Sequence, residues 1–161
     1  MKLPKSARIH HRSLQERLFS EGSGIQEFPL KMKWNALSEE ELRANFRNKV
    51  PDLIGPVQVL VSVPKKLRRK AVDRVLMRRR IREAFRLNRG ALLQTVREIK
   101  QIRTLGIGLI YIHKENLPYA EIESKMQKIL TKLEEKVKQK YNEQNNTDSE
   151  ERDNKADASA D

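Results

Sequence analysis

Apolar and polar positions alternate most cleanly over 57–63, where Val57, Val59, Val61 and Val63 share one side and Gln58, Leu60 and Ser62 the other. A period of two is that of a strand, and Pro64 ends it because it has no N–H to give to a ladder. Residues 28–34 repeat the pattern with Leu30, Met32 and Trp34 against Lys31 and Lys33, as in a sheet that is packed on one face and wet on the other. The run 105–112 is apolar on both sides, which suits an interior strand, although Gly106 and Gly108 weaken it.

Elsewhere the spacing is helical. It predicts a long helix over 70–88, a continuation or second helix around 91–101, and a last helix opened by Pro118, with Ile122, Met126, Ile129, Leu130, Leu133 and Val137 on one stripe. Two capping-box patterns add starts. Ser13-Leu14-Gln15-Glu16 opens a short helix that Gly22 ends, and Ser38-Glu39-Glu40-Glu41 opens a small helix over 39–48. The order α-β-(α insertion)-β-α-β-α predicts an α/β sandwich around one small mixed sheet.

Composition changes this picture in two places. From Asn142 onward the chain holds seven acids and two bases and no large apolar residue, so 142–161 is expected to lack fixed structure, leaving 1–141 as the domain. That tail contributes −5 to the chain's formal +12, so the body carries about +17, a balance that selects a polyanionic partner. The absence of cysteine excludes disulfides, thiolate zinc sites and thiol nucleophiles. With no apolar h-region after the basic start and no run of ~18 apolar residues, a soluble cytoplasmic protein is expected.

The basic charge is densest between 65 and 89: Lys65, Lys66, Arg68, Arg69, Lys70, Arg74, Arg78, Arg79, Arg80, Arg82, Arg86 and Arg89 are opposed by Asp73 and Glu83 alone. At 100° per residue Arg74, Arg78, Arg82, Arg86 and Arg89 share one arc, Leu76, Met77, Ile81 and Ala84 take the other, and Phe85 falls on the boundary. Like charges at i,i+4 cost a helix about 0.2–0.5 kcal/mol per pair, so the ridge is unfavourable until an anion neutralises it. Phosphate fits that need, since the planar guanidinium fork grips its oxygens bidentately. The plain alternative is a solvated face, which the excess of Arg over Lys and the near absence of acids disfavour.

No catalytic set stands out. His10, His11 and His113 have no carboxylate at ligand spacing and read as surface histidines, while Asp73 and Glu83 read as tempering the helix charge. No metal site is expected on the protein.

Ser62-Val63-Pro64-Lys65-Lys66, then Ala71-Val72-Asp73-Arg74, then Arg78-Arg79-Arg80-Ile81-Arg82-Glu83-Ala84-Phe85-Arg86 resembles the signature of the bacterial ribonuclease P protein component. Leu18-Phe19-Ser20-Glu21-Gly22 resembles the end of that family's first helix, and the helix after Pro118 is similar in place and pattern. The resemblance covers about residues 5–140. It departs at the family's Arg-Asn-Arg, which here reads Arg74-Val75-Leu76, so the polar contacts of the usual Asn are missing at Val75.

The resemblance implies a protein subunit, one per RNA, that binds ribonuclease P RNA and precursor tRNA away from any membrane, with the chemistry and its Mg2+ on the RNA. It implies RNA contacts at Lys65, Lys66, Arg68, Arg69, Arg74, Arg78, Arg79, Arg82 and Arg86. It also implies a single-stranded 5′ leader in a cleft between sheet and first helix, with Phe19, Ser62 and Lys66 at matching positions and Gln15 where an aromatic or aliphatic often stands. Phe19 equally suits a core role closing the first helix. A left-handed β-α-β crossover is implied, against the general right-handed rule. The rival reading is a ribosomal or ribosome-assembly RNA binder without a nuclease role.

Overall fold

The computed structural model describes residues 2–158, with side chains through 144. In chain order the elements are a 3-10 turn (Lys5–Ala7), α1 (Arg12–Glu21), β1 (Ser23–Glu27), β2 (Leu30–Leu37), α2 (Glu39–Asn45), β3 (Val57–Ser62), α3 (Ala71–Asn88), α4 (Gly90–Glu98), β4 (Thr104–Tyr111) and α5 (Tyr119–Ala158). The sheet order is β1-β2-β4-β3. β1, β2 and β4 are antiparallel, and β3 runs parallel to β4, so the sheet is mixed and the long helix joins neighbouring parallel strands, as expected.

Each face of the sheet has its own core. Leu30, Met32 and Trp34 of β2, the odd-numbered valines of β3 and Leu105, Ile107, Leu109 and Tyr111 of β4 pack against α3, α4 and α5. On the opposite face Ile9, Leu14, Leu18, Leu37, Leu42 and Ile54 form a smaller cluster under α1 and α2. The open edge of β3 is covered by the N-terminal segment: Ile9 donates its amide to the Val59 carbonyl at 3.1 Å, and Gln58, buried, donates to the Ser6 and Arg8 carbonyls. An edge closed in this way offers no template for strand addition.

Several expectations are corrected. Residues 23–27 form β1, which the sequence reading passed over because its five residues bury only Ile25, and the strand expected at 28–34 begins at Leu30 after a turn. The first helix starts at Arg12 with His11 as its N-cap and no side-chain cap bond. Ser13 therefore lies inside the helix, and its hydroxyl accepts from Asn45 Nδ2 at 3.0 Å, tying α1 to α2. The second capping box is present: Ser38 accepts the Glu41 amide and Glu41 accepts that of Ser38. That helix stops at Asn45 rather than 48, because Arg47 and Asn48 take left-handed φ of 52° and 67° and Asn48 donates back to the Arg43 carbonyl. The helix expected over 91–101 ends at Glu98.

On α3, Phe85 is fully buried beside Met77, Ile81 and Ala84, and Leu76 is only half-buried. The packed stripe is thus rotated by roughly 45°, about half of one 100° residue step, from the expected arc, toward the seam with α5. α5 continues as helix through 142–158, where no fixed structure was expected; the rest of that expectation, 159–161, lies outside the described residues. Its composition, rich in Asn and Asp with Ser149 and Thr147, offers no helix propensity to explain this, and among residues whose side chains are described the last buried one is Tyr141. No described helix is long and apolar enough to cross a membrane.

Candidate nucleic-acid interface

Two surfaces gather the residues singled out above. The first is the outer face of α3. Three of its arginines, Arg78, Arg79 and Arg82, make no hydrogen bond or ion pair among the described residues. They line a cleft of about 600 Å³ with the Arg86–Glu83 pair, Val75 and, from the N-terminal segment, Lys2, Leu3 and Arg8. Partial burial, then the nearby Arg8 and Arg78 charges, hold the Arg82 guanidinium below its ordinary pKa. Crowding of cations around one carboxylate, Glu83, that Arg86 already holds is the electrostatic signature of a site for an external anion.

Other arginines of the run are already committed. Arg68 donates to the Lys114 carbonyl and to Asn116 Oδ1, and pairs with Asp73 at 3.2 Å, its side chain only 13% exposed. Asn116 closes the set by donating to Asp73 at 3.0 Å. Arg74 donates to the carbonyls of Arg68 and Arg69 at 2.9 and 2.7 Å, and Arg80 to that of Leu117 at 2.5 Å. These three brace the loops flanking α3. Arg86 chelates Glu83 through bonds of 2.6 and 3.0 Å, which raises the arginine's pKa and lowers the glutamate's. Asp73 and Glu83 are thus both engaged by arginine. Lys65, Lys66 and Arg69 stand exposed on the turn between β3 and α3.

Arg8 is the contributor that sequence reasoning missed. Its parallel bridge to Val59 sets it beside β3, and its Nε is buried with no partner. Sequence offers only a basic N-terminus as a signal, since a contact spanning about fifty residues is tertiary.

The second surface lies where α1 crosses the sheet. Leu18 points down into the smaller core, fully buried, while the next residue, Phe19, is 38% exposed and belongs to neither core cluster. Its ring passes over Gly108. A Cβ there would sit 3.4 Å from Phe19 Cζ and 3.2 Å from Leu18 Cδ2, so the glycine that weakened the strand in sequence is what lets the helix approach closely. Gly106 likewise leaves room for Asn35, whose Oδ1 would lie 2.7 Å from a Cβ.

The register lays out the floor beside Phe19: Leu60, Gly108 and Lys33 form one row across the sheet, and Ser62, Ile110 and Lys31 the next. Lys33 Nζ donates to the Phe19 carbonyl at 2.9 Å, Lys31 is exposed, Ser62 is half-exposed, and Lys66 follows in the exposed turn. Gln15 is half-buried, its amide turned to the Ile9 carbonyl at 3.4 Å. The result is a shallow groove with an aromatic wall and lysines along its path, chemistry suited to a single strand with accessible base faces. Lys31 and Lys33 were legible as the wet side of a strand, but their role as a floor was not.

The histidines lie apart from both surfaces or at their margins: His11 packs edge-on to Phe46, His113 lies between Tyr111 and Phe28, and His10 is exposed.

The Ribonuclease P family model matches residues 3–134. Proteins named ribonuclease P protein component from two Porphyromonas gingivalis strains are 31% and 30% identical over 132 residues, covering 81% of this chain and 85% of each relative. Among solved structures, the RNase P proteins of Staphylococcus aureus and Thermotoga maritima superpose with a TM-score of 0.54 each. They are 20% and 19% identical, over 79% and 78% of this chain and 94% and 96% of theirs, and so speak to the fold.

Proposed function

The chain belongs to the bacterial ribonuclease P protein family and is a subunit of the ribonuclease that acts in tRNA 5′ processing, and from that premise we propose how its two surfaces divide the work. The unpaired Arg78, Arg79 and Arg82, with Arg8, grip phosphates of the ribonuclease P RNA, helped by Lys65 and Arg69. The groove beside Phe19, with Ser62, Lys66 and the sheet lysines, holds the 5′ leader of precursor tRNA. Chemistry belongs to the RNA and its magnesium, with one protein per RNA in the cytoplasm. The observation that carries this reading is the pairing of two surfaces on one sheet: three arginines with no bonded protein acceptor among the described residues, and, across the sheet, a half-exposed aromatic over a glycine.

Arg68, Arg74 and Arg86 act within this division chiefly by shaping the surface, because their donors are already engaged. The chain's own carboxylates nearest the ridge, Asp73 and Glu83, are held by Arg68 and Arg86 and leave no ligand set for a metal there. The connection from β3 through α3 and α4 to β4 is taken to be left-handed, after the family. The reading is tested by adding the chain to a bacterial ribonuclease P RNA at a magnesium concentration where the RNA alone is inactive. Cleavage of precursor tRNA at the mature 5′ end is expected, and no gain over RNA alone contradicts the reading.

We further propose that 142–161 is separable from the RNA-binding domain, since Tyr141 is the last buried side chain among the described residues and the segment beyond is acidic. Truncation after 141 is expected to leave the thermal midpoint unchanged and to tighten RNA binding at low salt, where the removed negative charge acts over the longest range. Loss of cooperative unfolding on truncation would show the segment to be part of the domain.

A further inference from the structure

A second exposed aromatic stands at the end of the sheet where β2 begins and β3 and β4 end, on the α5 side and so across the sheet end from the groove beside Phe19. Phe28, in the β1–β2 turn, is 54% exposed, with its ring centroid 5.2 Å from that of His113 at an angle of 41°. His113 is held in turn: it stacks on Tyr111 at 6.3 Å, and its Nδ1 accepts the Glu115 amide at 2.9 Å. Phe28 and His113 wall a cavity of about 420 Å³ whose other sides are Leu117 and, from α5, Glu121, Ser124 and Lys125. A large ring braced by a fixed neighbour and left open to a cavity is a stacking platform rather than a core residue.

Its position relates it to the groove. The Ile112 amide donates to the Pro29 carbonyl at 2.9 Å, extending the β2–β4 pairing past Leu30 and Tyr111. Gly108, beneath Phe19, is four residues back along β4, about 13 Å at ~3.3 Å per residue. Because β3 and β4 are parallel, Ser62 and the turn with Lys65 and Lys66 leave the sheet at this same end. Arg68 ties that turn to the loop of Lys114 and Asn116 that follows β4. Exposed Lys65, Lys66 and Lys114 therefore lie on loops at the same end of the sheet as Phe28. Of the nearby carboxylates, Glu27 is neutralised by Lys132 at 2.6 Å and Lys125 at 3.6 Å, Glu115 stands exposed in the loop beside His113, and Glu121 is placed as an acceptor for a base amino group.

We propose that Phe28 and His113 form a second base-stacking subsite, which takes a nucleobase of the single-stranded leader after it leaves the groove beside Phe19. The inference rests on the reading that the leader lies in that groove. The base face stacks on Phe28, His113 fixes the depth of the pocket, and the lysines at the sheet end follow the backbone. The subsite is reached only by leaders long enough to run past the sheet end, so its signature is a dependence on leader length.

The experiment uses the reconstituted complex of full chain and ribonuclease P RNA, with precursor tRNAs carrying leaders of about three and about ten nucleotides, below and within the ~4–16 nucleotides that a single groove commonly tracks. Phe28→Ala is expected to lower the long-to-short ratio of affinities by about fivefold or more, the loss of one stacked base. Phe28→Trp is expected to restore it, and Phe28→Leu, which keeps bulk without a π face, is not. An unchanged ratio in Phe28→Ala overturns the proposal, as does an equal loss for both leaders or recovery by Phe28→Leu. Phe19→Ala is measured alongside. If Phe19→Ala impairs both precursors while Phe28→Ala impairs neither, the subsite is wrong and the groove stands; if neither variant impairs any precursor, the groove itself is wrong.

Discussion

Replacing Arg78, Arg79 and Arg82 together by alanine weakens assembly with ribonuclease P RNA by about two orders of magnitude near physiological salt, and flattens its salt dependence. The magnitude follows from counterion release: each lost phosphate contact removes about 0.7–0.9 from the slope of log affinity against log salt, so three remove about 2.1–2.7, which from ~1 M down to ~0.15 M salt amounts to about two orders of magnitude in affinity. These three are chosen because no protein acceptor competes for them, whereas Arg68 and Arg74 hold carbonyls of the fold and their loss would mix binding with stability. Stability should not fall. Arg78 and Arg82 stand at i,i+4, where like charges oppose helix formation by about 0.2–0.5 kcal/mol, and the lowered Arg82 pKa has the same repulsion among its causes. The measurement is the affinity at several salt concentrations with the thermal midpoint in parallel. An unchanged slope in a folded variant would mean that the ridge is a solvated face.

The second large effect is expected at Phe19. Phe19→Ala should weaken precursor tRNA binding to the holoenzyme by about 1–3 kcal/mol, or about 5- to 150-fold, the worth of one stacked base, while mature tRNA binding stays as it was. A fully buried Phe→Ala change costs about 3–5 kcal/mol of stability. Phe19 is 38% exposed and rests on Gly108 by one edge, so its cost is smaller. Phe19→Leu separates the two roles, because leucine still covers Gly108 but offers no ring face. It is expected to keep the thermal midpoint and to lose the discrimination. A folded Phe19→Ala protein that distinguishes precursor from mature tRNA as well as the parent would remove Phe19 from the leader path.

How much of this was legible in the sequence depended on whether the signal was local. The alternation of 57–63 and the stripe from Ile122 to Val137 needed nothing but spacing, and both elements are where they were expected. The box at Ser38 formed because nothing competes with it. The one at Ser13 did not, because the N-terminal segment is pinned to β3 by Ile9 and Gln58 and the helix begins before the box. β1 was missed because an edge strand with one buried residue has almost no pattern.

The site followed the same rule. The arginine arc was readable from 3.6-residue periodicity, but which arginines are free was not, since Arg68 finds its acceptors some forty-six residues away. Gly108 is the clearest case. In sequence it weakened a strand; in the fold it is the space that seats Phe19.

The central claim is that this subunit confers a preference for precursor over mature tRNA by holding the leader. The most direct measurement is therefore the affinity of ribonuclease P RNA for each of the two, with and without the chain. The protein is expected to tighten binding of precursor tRNA and to leave that of mature tRNA unchanged. Equal tightening of both, or of neither, contradicts it.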